Sequence, residues 1–167
     1  MTNSDSRIAV YTGSFDPITL GHLNVIERCS RLVDRLIVGI GINIEKQSLF
    51  SPEERVELVR QSTRHLQNVE VKSFSGLAVT FVRDCGARVL LRGVRSLGDI
   101  EAEFTMTMAN RKLDPTIETI FLMADNQFSH VSSSLIKQIA ALASDEELAR
   151  FVPAVIVPAI REKMRGG

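Results

Sequence analysis

The chain holds only two cysteines, Cys29 and Cys85, far apart and each in helix-like apolar surroundings. Two such cysteines make neither a disulfide framework nor a zinc pattern, and both read as reduced core residues. The three histidines, His22, His65 and His130, are nowhere paired at ligand spacing, so a transition-metal site built by the protein is not expected. Charge of one sign is missing as well. Lys plus Arg number 20 and Asp plus Glu number 20, which leaves no global field for a nucleic acid or a membrane surface. No apolar run approaches the ~18 residues that would span a bilayer. Met1 to Ser6 is polar and lacks the basic and apolar regions of a signal peptide, so it reads as a short flexible tail on a cytoplasmic protein. Repeats, low-complexity stretches and linkers are absent too. The remainder, residues 7–167, fits a single domain of ordinary globular composition, 44% hydrophobic and 24% charged.

What is present is alternation. Apolar β-rich runs near 7–12, 35–42, 69–74, 88–92 and 117–123 alternate with helical patterns near 21–33, 52–66, 77–85, 97–113 and 132–142. Short C-terminal helices follow, to about residue 165. In the first helix Leu23, Val25, Ile26, Cys29, Leu32 and Val33 share one face. The second has a start signal: Ser51 as N-cap, Pro52 in first position and Glu54 closing a capping box. Runs such as Leu36-Ile37-Val38-Gly39-Ile40 are continuously apolar, as strands covered on both faces require. The expected fold is α/β, a doubly wound five-stranded parallel sheet with C-terminal helices.

In such a sheet, ligands bind beyond the carboxyl ends of the strands, where strand order reverses. The reactive-looking residues obey that rule. Gly13, Ser14, Phe15, Asp16 and His22 follow strand one; Asn43 to Lys46 follow strand two. Arg92-Gly93-Val94-Arg95 follow strand four, and Asp125 to Val131 follow strand five, before Ser132-Ser133-Ser134 opens a helix. The loop from Tyr11 to His22 hands a strand to a helix, and unpaired N–H groups at a helix start suit a phosphate. His22 on the first helical turn could reach it. The edge thus collects one imidazole, three cations (Lys46, Arg92, Arg95), a glycine-bearing loop and a serine-capped helix start. It has no nucleophile–base pair and no paired carboxylates. Such an inventory suits polyphosphate handling, where positioning and charge neutralisation dominate. Simpler roles stand beside this one. Lys46 would serve as a solvated loop lysine, Arg92 as the partner of a structural carboxylate, and Ser132 as an N-cap alone. Met106 and Met108 read as helix packing, and His65 and His130 as surface or loop histidines.

The stretch Gly13-Ser14-Phe15-Asp16-Pro17-Ile18-Thr19-Leu20-Gly21-His22 resembles the G-(T/S)-F-D-P-x-(T/H)-x-G-H signature of the nucleotidyltransferase superfamily. Leu91 to Arg95 and Val131 to Lys137 resemble its later nucleotide-binding motifs. Thr19, Lys46, Arg92 and Phe121-Leu122-Met123 narrow the likeness to the bacterial phosphopantetheine adenylyltransferases, over about Arg7 to Met164. The resemblance implies a Rossmann-like nucleotidyltransferase fold, a homohexamer, and Mg²⁺ held mainly by ATP phosphates with no protein metal ligands. It implies transfer of AMP from ATP to 4′-phosphopantetheine, giving pyrophosphate and dephospho-coenzyme A, with dephospho-coenzyme A or coenzyme A bound as product or inhibitor. By the same resemblance His22, Lys46 and Arg95 are catalytic. The nucleotide falls to Ser14, Phe15, His22, Gly93, Val94, Arg95 and Glu103, and to Phe128, Ser129, His130, Val131, Ser132, Ser133 and Ser134. The acceptor falls to Ser14, Lys46, Ala78 and Arg92. Two positions depart from the family: Ala102, often aromatic there, and Ala78, often larger. Alternative functions are adenylyl or cytidylyl transfer to nicotinamide mononucleotide or glycerol phosphate, and a nucleotide-binding module without turnover.

Overall fold

Five strands form one sheet in a computed structural model that describes residues 6–45 and 47–166. They are β1 (Ile8–Gly13), β2 (Arg35–Gly41), β3 (Val69–Phe74), β4 (Val89–Val94) and β5 (Glu118–Met123). All pair in parallel, in the order β3-β2-β1-β4-β5. Parallel neighbours need crossovers, and α1 (Leu20–Ser30), α2 (Pro52–Thr63), α3 (Ala78–Asp84) and α4 (Leu97–Leu113) supply them. After β5 come a 3₁₀ turn at Asn126–Phe128 and helices α5 (Ser133–Ile139), α6 (Asp145–Leu148) and α7 (Val157–Arg165).

Alternation along the strands sorts the core into two layers. Ala9, Tyr11, Leu36, Val38 and Ile40 meet Val25 and Ile26 of α1, Val59 of α2 and Ile160 of α7. Val10, Ile37 and Leu90 point the other way, onto Val79 and Val82 of α3. Burying each such branched side chain stabilises by about 1.5–3 kcal/mol. The strand β2 must carry glycine where α3 presses closest. A Cβ on Gly39 would lie 2.5 Å from the Phe81 ring, which stacks on Phe74 at 4.4 Å.

The chain builds outward from β1 through β2 to β3, then returns to place β4 on the other flank of β1. Strand order therefore reverses between β1 and β4, and a crevice opens beyond Gly13 and Val94. Capping positions follow the sequence signals. Ser51 and Glu54 form the capping box of α2 with Pro52 in first position, and the Ser132 hydroxyl accepts from the Leu135 amide at the start of α5.

Three expectations need correction. Strand β4 runs on through Arg92, Gly93 and Val94, because these pair with Phe121, Leu122 and Met123 of β5. Of the four residues expected to follow the strand, three are its last residues and Arg95 alone comes after it. Helix α1 ends at Ser30, so Leu32 lies past it and is 61% exposed. Met106 and Met108 do not pack: they are 60% and 52% exposed. Among its residues α4 buries only Asn110, because its apolar side chains are spread around the helix instead of forming one stripe. With Phe104 and, on the edge strand β5, Ile120 and Met123, they leave an exposed apolar surface. No helix among the described residues is long and apolar enough to cross a membrane.

Candidate active site

The crevice is organised around the start of α1. Thr19 is its N-cap and His22 its third residue, and the two cap each other reciprocally. The His22 amide donates to Thr19 Oγ1 at 3.3 Å, and the Thr19 amide donates to His22 Nδ1 at 3.1 Å. A backbone N–H can only donate, so Nδ1 is the acceptor and the ring proton sits on Nε2. Burial, with Arg95 and Arg92 nearby, pulls the imidazole pKa down to about 4. His22 is thus a neutral donor near pH 7. Phe15 supports it from below, its ring 4.9 Å from the imidazole and 5.2 Å from Tyr11. That buried phenylalanine has a φ of 48°, a left-handed backbone that only tight packing holds for such a residue.

The amides expected to stand open at this helix start are largely committed. The Leu20 N–H donates to the Phe151 carbonyl at 2.8 Å and the His22 N–H to Thr19. The contribution of α1 to an anion is therefore the His22 side chain more than its backbone.

From the other side of the reversal, β4 and α4 bring paired charges. Arg92 forks onto the Glu103 carboxylate at 2.7 and 2.9 Å and donates to the Thr12 carbonyl at 2.7 Å and hydroxyl at 3.0 Å. Arg95 forks onto Asp99 at 3.1 and 3.2 Å and reaches the Val131 carbonyl at 3.0 Å. Burial would raise the Asp99 pKa, but the Arg95 contacts outweigh it and hold the carboxyl below its usual range. These pairs fix both guanidinium groups along the crevice.

Two cavities open on this frame. One, about 250 Å³, is bounded by Val25, Val94, Arg95, Ala102, Glu103 and Val131. The other, about 330 Å³, is bounded by Ser14, Asp16, Asn43, Arg55, Arg92 and Lys137. Tyr11, His22, Gly93 and Ser133 line both. Gly93 is required at the junction, since a Cβ there would lie 2.5 Å from the Tyr11 hydroxyl. Ser133 opens α5, donates its hydroxyl to the Pro17 carbonyl at 2.8 Å, and so ties that helix to the first loop.

Most residues expected at the site from sequence converge there. Ser14, Phe15, His22, Gly93, Val94, Arg95, Glu103, Val131, Ser132, Ser133, Ser134 and Arg92 line one cavity or both. Four do not. Ala78 opens α3 and packs against the Val10–Ile37–Leu90 layer. Phe128 would meet a Cβ on Gly21, and His130 stands edge-on to Phe151 at 5.9 Å, both beside α1 and off the cavity walls. Ser129 closes the 3₁₀ turn. Lys46 lies outside the described residues.

The sequence put Asp16 among the reactive residues and Lys137 at the end of a motif without a role for either, and did not mark Arg55. Asp16 is 4% exposed and accepts from the amides of Leu49 and Phe50, both at 2.9 Å, and from Lys137 at 2.7 Å. Burial works to raise its pKa, and these donors outweigh that and lower it. A signal did exist for Arg55. It stands one turn before Val59 on the buried stripe of α2, where a charge needs a reason.

Residues 10–139 match the cytidylyltransferase-like family. A phosphopantetheine adenylyltransferase of Rhodopirellula baltica is 65% identical over 158 residues, 94% of this chain and 88% of that protein. A phosphopantetheine adenylyltransferase of Clostridium botulinum (strain Eklund 17B) is 52% identical over 134 residues, 80% of this chain and 84% of that one. A Plasmodium falciparum nicotinic acid mononucleotide adenylyltransferase, solved with NaAD, superposes with a TM-score of 0.69 over 94% of this chain and 95% of that one. At 13% identity that likeness speaks to the fold alone. With a nucleotidyltransferase fold, the signature loop at the strand-order reversal and this level of identity along nearly its whole length, the chain belongs to the phosphopantetheine adenylyltransferase family.

Proposed function

We propose that the protein transfers AMP from ATP to 4′-phosphopantetheine, releasing pyrophosphate and forming dephospho-coenzyme A. The observation that carries this reading is the pair of cavities meeting at His22, Gly93 and Ser133. A nucleotide in the cavity beside Val94, Ala102 and Val131 brings its α-phosphate to that junction. An acceptor in the cavity beside Ser14 and Arg92 brings its phosphate to the same point. The acceptor phosphate is already ionised near neutral pH, so in-line attack on the α-phosphorus needs no protein base.

His22 then donates from Nε2 to an oxygen of the α-phosphate as charge moves onto it. Being neutral and locked by Thr19, it needs no reorganisation to do so. Arg95, beside Ser132 and Ser133, faces the departing pyrophosphate. Among the described residues no group of three His, Cys, Asp or Glu side chains could hold a metal ion, and Asp16 is committed to Lys137. That donor set fits Mg²⁺ arriving on the phosphates of ATP better than a resident ion. When bound, Mg²⁺ offsets charge on the leaving pyrophosphate.

The exposed apolar surface of α4 and β5 supports a closed assembly of copies, a hexamer by the family likeness. Two unpaired thiols suit a cytoplasmic setting.

Pyrophosphate release from ATP should be fast with 4′-phosphopantetheine and slow with nicotinamide mononucleotide or glycerol phosphate. Equal turnover of either alternative would reject the acceptor assignment. His22→Ala should lower kcat by ~10²-fold or more while the KM for ATP changes far less, the scale of losing one preorganised donor. Matching losses in both would assign His22 to ground-state binding. Light scattering at micromolar concentration should give the mass of six chains, and a monomer mass would exclude the assembly.

A further inference from the structure

Three cations of the described chain line the acceptor cavity: Arg92, Lys137 and Arg55. Their charges are not equally available. Arg92 is held in a two-pronged pair by Glu103, and Lys137 is held at 2.7 Å by Asp16. Arg55 is different. It is 3% exposed, and no carboxylate among the described residues lies within ion-pair distance of it. Its Nη1 donates to two carbonyls, Ser14 at 2.9 Å and Gly41 at 3.3 Å. Its Nε is buried without a partner. A guanidinium taken out of water with only carbonyl partners and an orphaned donor is strongly unfavourable, and burial of an arginine calls for an anion.

Holding two carbonyls does not explain the charge. A neutral amide donor reaching from α2 could satisfy Ser14 and Gly41 without burying an ion. What would balance the charge is an anion, and Arg55 lines the acceptor cavity at the carboxyl ends of β1 and β2. We propose that Arg55 binds the phosphate of the acceptor. This deepens the reading of 4′-phosphopantetheine as acceptor and rests on it. The permanent charge of a guanidinium suits a phosphate. Through Ser14 it is also tied to the loop that leads to His22, so the residue that senses the acceptor phosphate helps hold the backbone of the reaction centre.

The test compares wild type, Arg55→Gln and Arg55→Lys with two probes, 4′-phosphopantetheine and pantetheine, which differ only in the phosphate. Arg55→Gln should weaken 4′-phosphopantetheine binding by ~10-fold or more, the scale of a lost charge-assisted contact, with pantetheine binding and the KM for ATP changing far less. Arg55→Lys should recover most of the loss. Equal weakening for both probes would reduce Arg55 to a packing role and overturn the proposal, as would no weakening for either. Should the glutamine chain not fold, wild type decides. The Arg55 Nε–H resonance should shift on adding 4′-phosphopantetheine and stay still with pantetheine, and identical responses would overturn the assignment. Wild type that does not turn over 4′-phosphopantetheine would instead refute the acceptor reading itself. Normal turnover with an indifferent Arg55→Gln refutes only the role given to Arg55.

Discussion

Between the Thr19 amide and His22 Nδ1 runs a hydrogen bond of 3.1 Å that does two things at once. It completes the cap of α1, and it dictates which imidazole nitrogen carries the proton. The first is a matter of stability, of the order of 1 kcal/mol for such a cap. The second is a matter of function, because only the Nε2–H tautomer offers a donor to the crevice. Neither could be had without the loop before it. Phe15, in a left-handed backbone conformation, braces the ring, and Asp16 anchors the loop to the segment before α2 through two amides and to α5 through Lys137. The orientation of the His22 ring is therefore set by packing and backbone bonds within the protein.

Charge is distributed with the same economy. Around the crevice Arg92, Arg95 and Lys137 are matched by Glu103, Asp99 and Asp16, on different elements or one helical turn apart. Matched pairs hold their geometry in the free protein and stay close to neutral. Because Arg92 faces one cavity and Glu103 the other, the pair joins the two cavities. Arg55 alone among the described cations of the acceptor cavity has no such counterweight.

Much of this was legible in the sequence, and the reasons are physical. Continuous apolar runs announced strands buried on both faces, helix starts were written in Ser51-Pro52-Glu53-Glu54 and in Ser132, and the reactive residues fell at or just beyond the carboxyl ends of strands. What could not be read were pairings between distant elements. Nothing local to Arg92 says that Glu103 on the next helix will take up its fork. Nothing local to Asp16 names Lys137, more than a hundred residues on. The start of α1 looked open because the partner of the Leu20 amide, the Phe151 carbonyl, comes from the far end of the chain. Met106 and Met108 were assigned to packing because an apolar helical residue is ordinarily covered by its own chain; on α4 that cover is missing. Ala78 was carried over by likeness, and its small side chain is used by the core layer under α3.

The protonation state of His22 is where structure and chemistry meet most directly. Nitrogen-resolved NMR of the free protein, followed from pH 8 down to pH 3.5, reports both the tautomer and the pKa of that ring. The ring should be a neutral imidazole with its proton on Nε2 from pH 8 to near pH 5. Protonation should come only near pH 4, the value to which burial and the neighbouring Arg95 and Arg92 depress it. The sign follows from linkage. The unfolded chain takes up this proton near pH 6.5 and the folded one does not, so the contribution of His22 to stability falls away as pH drops from 6.5 towards 4. A ring that titrates near 6.5, or that carries its proton on Nδ1 at neutral pH, would contradict the account.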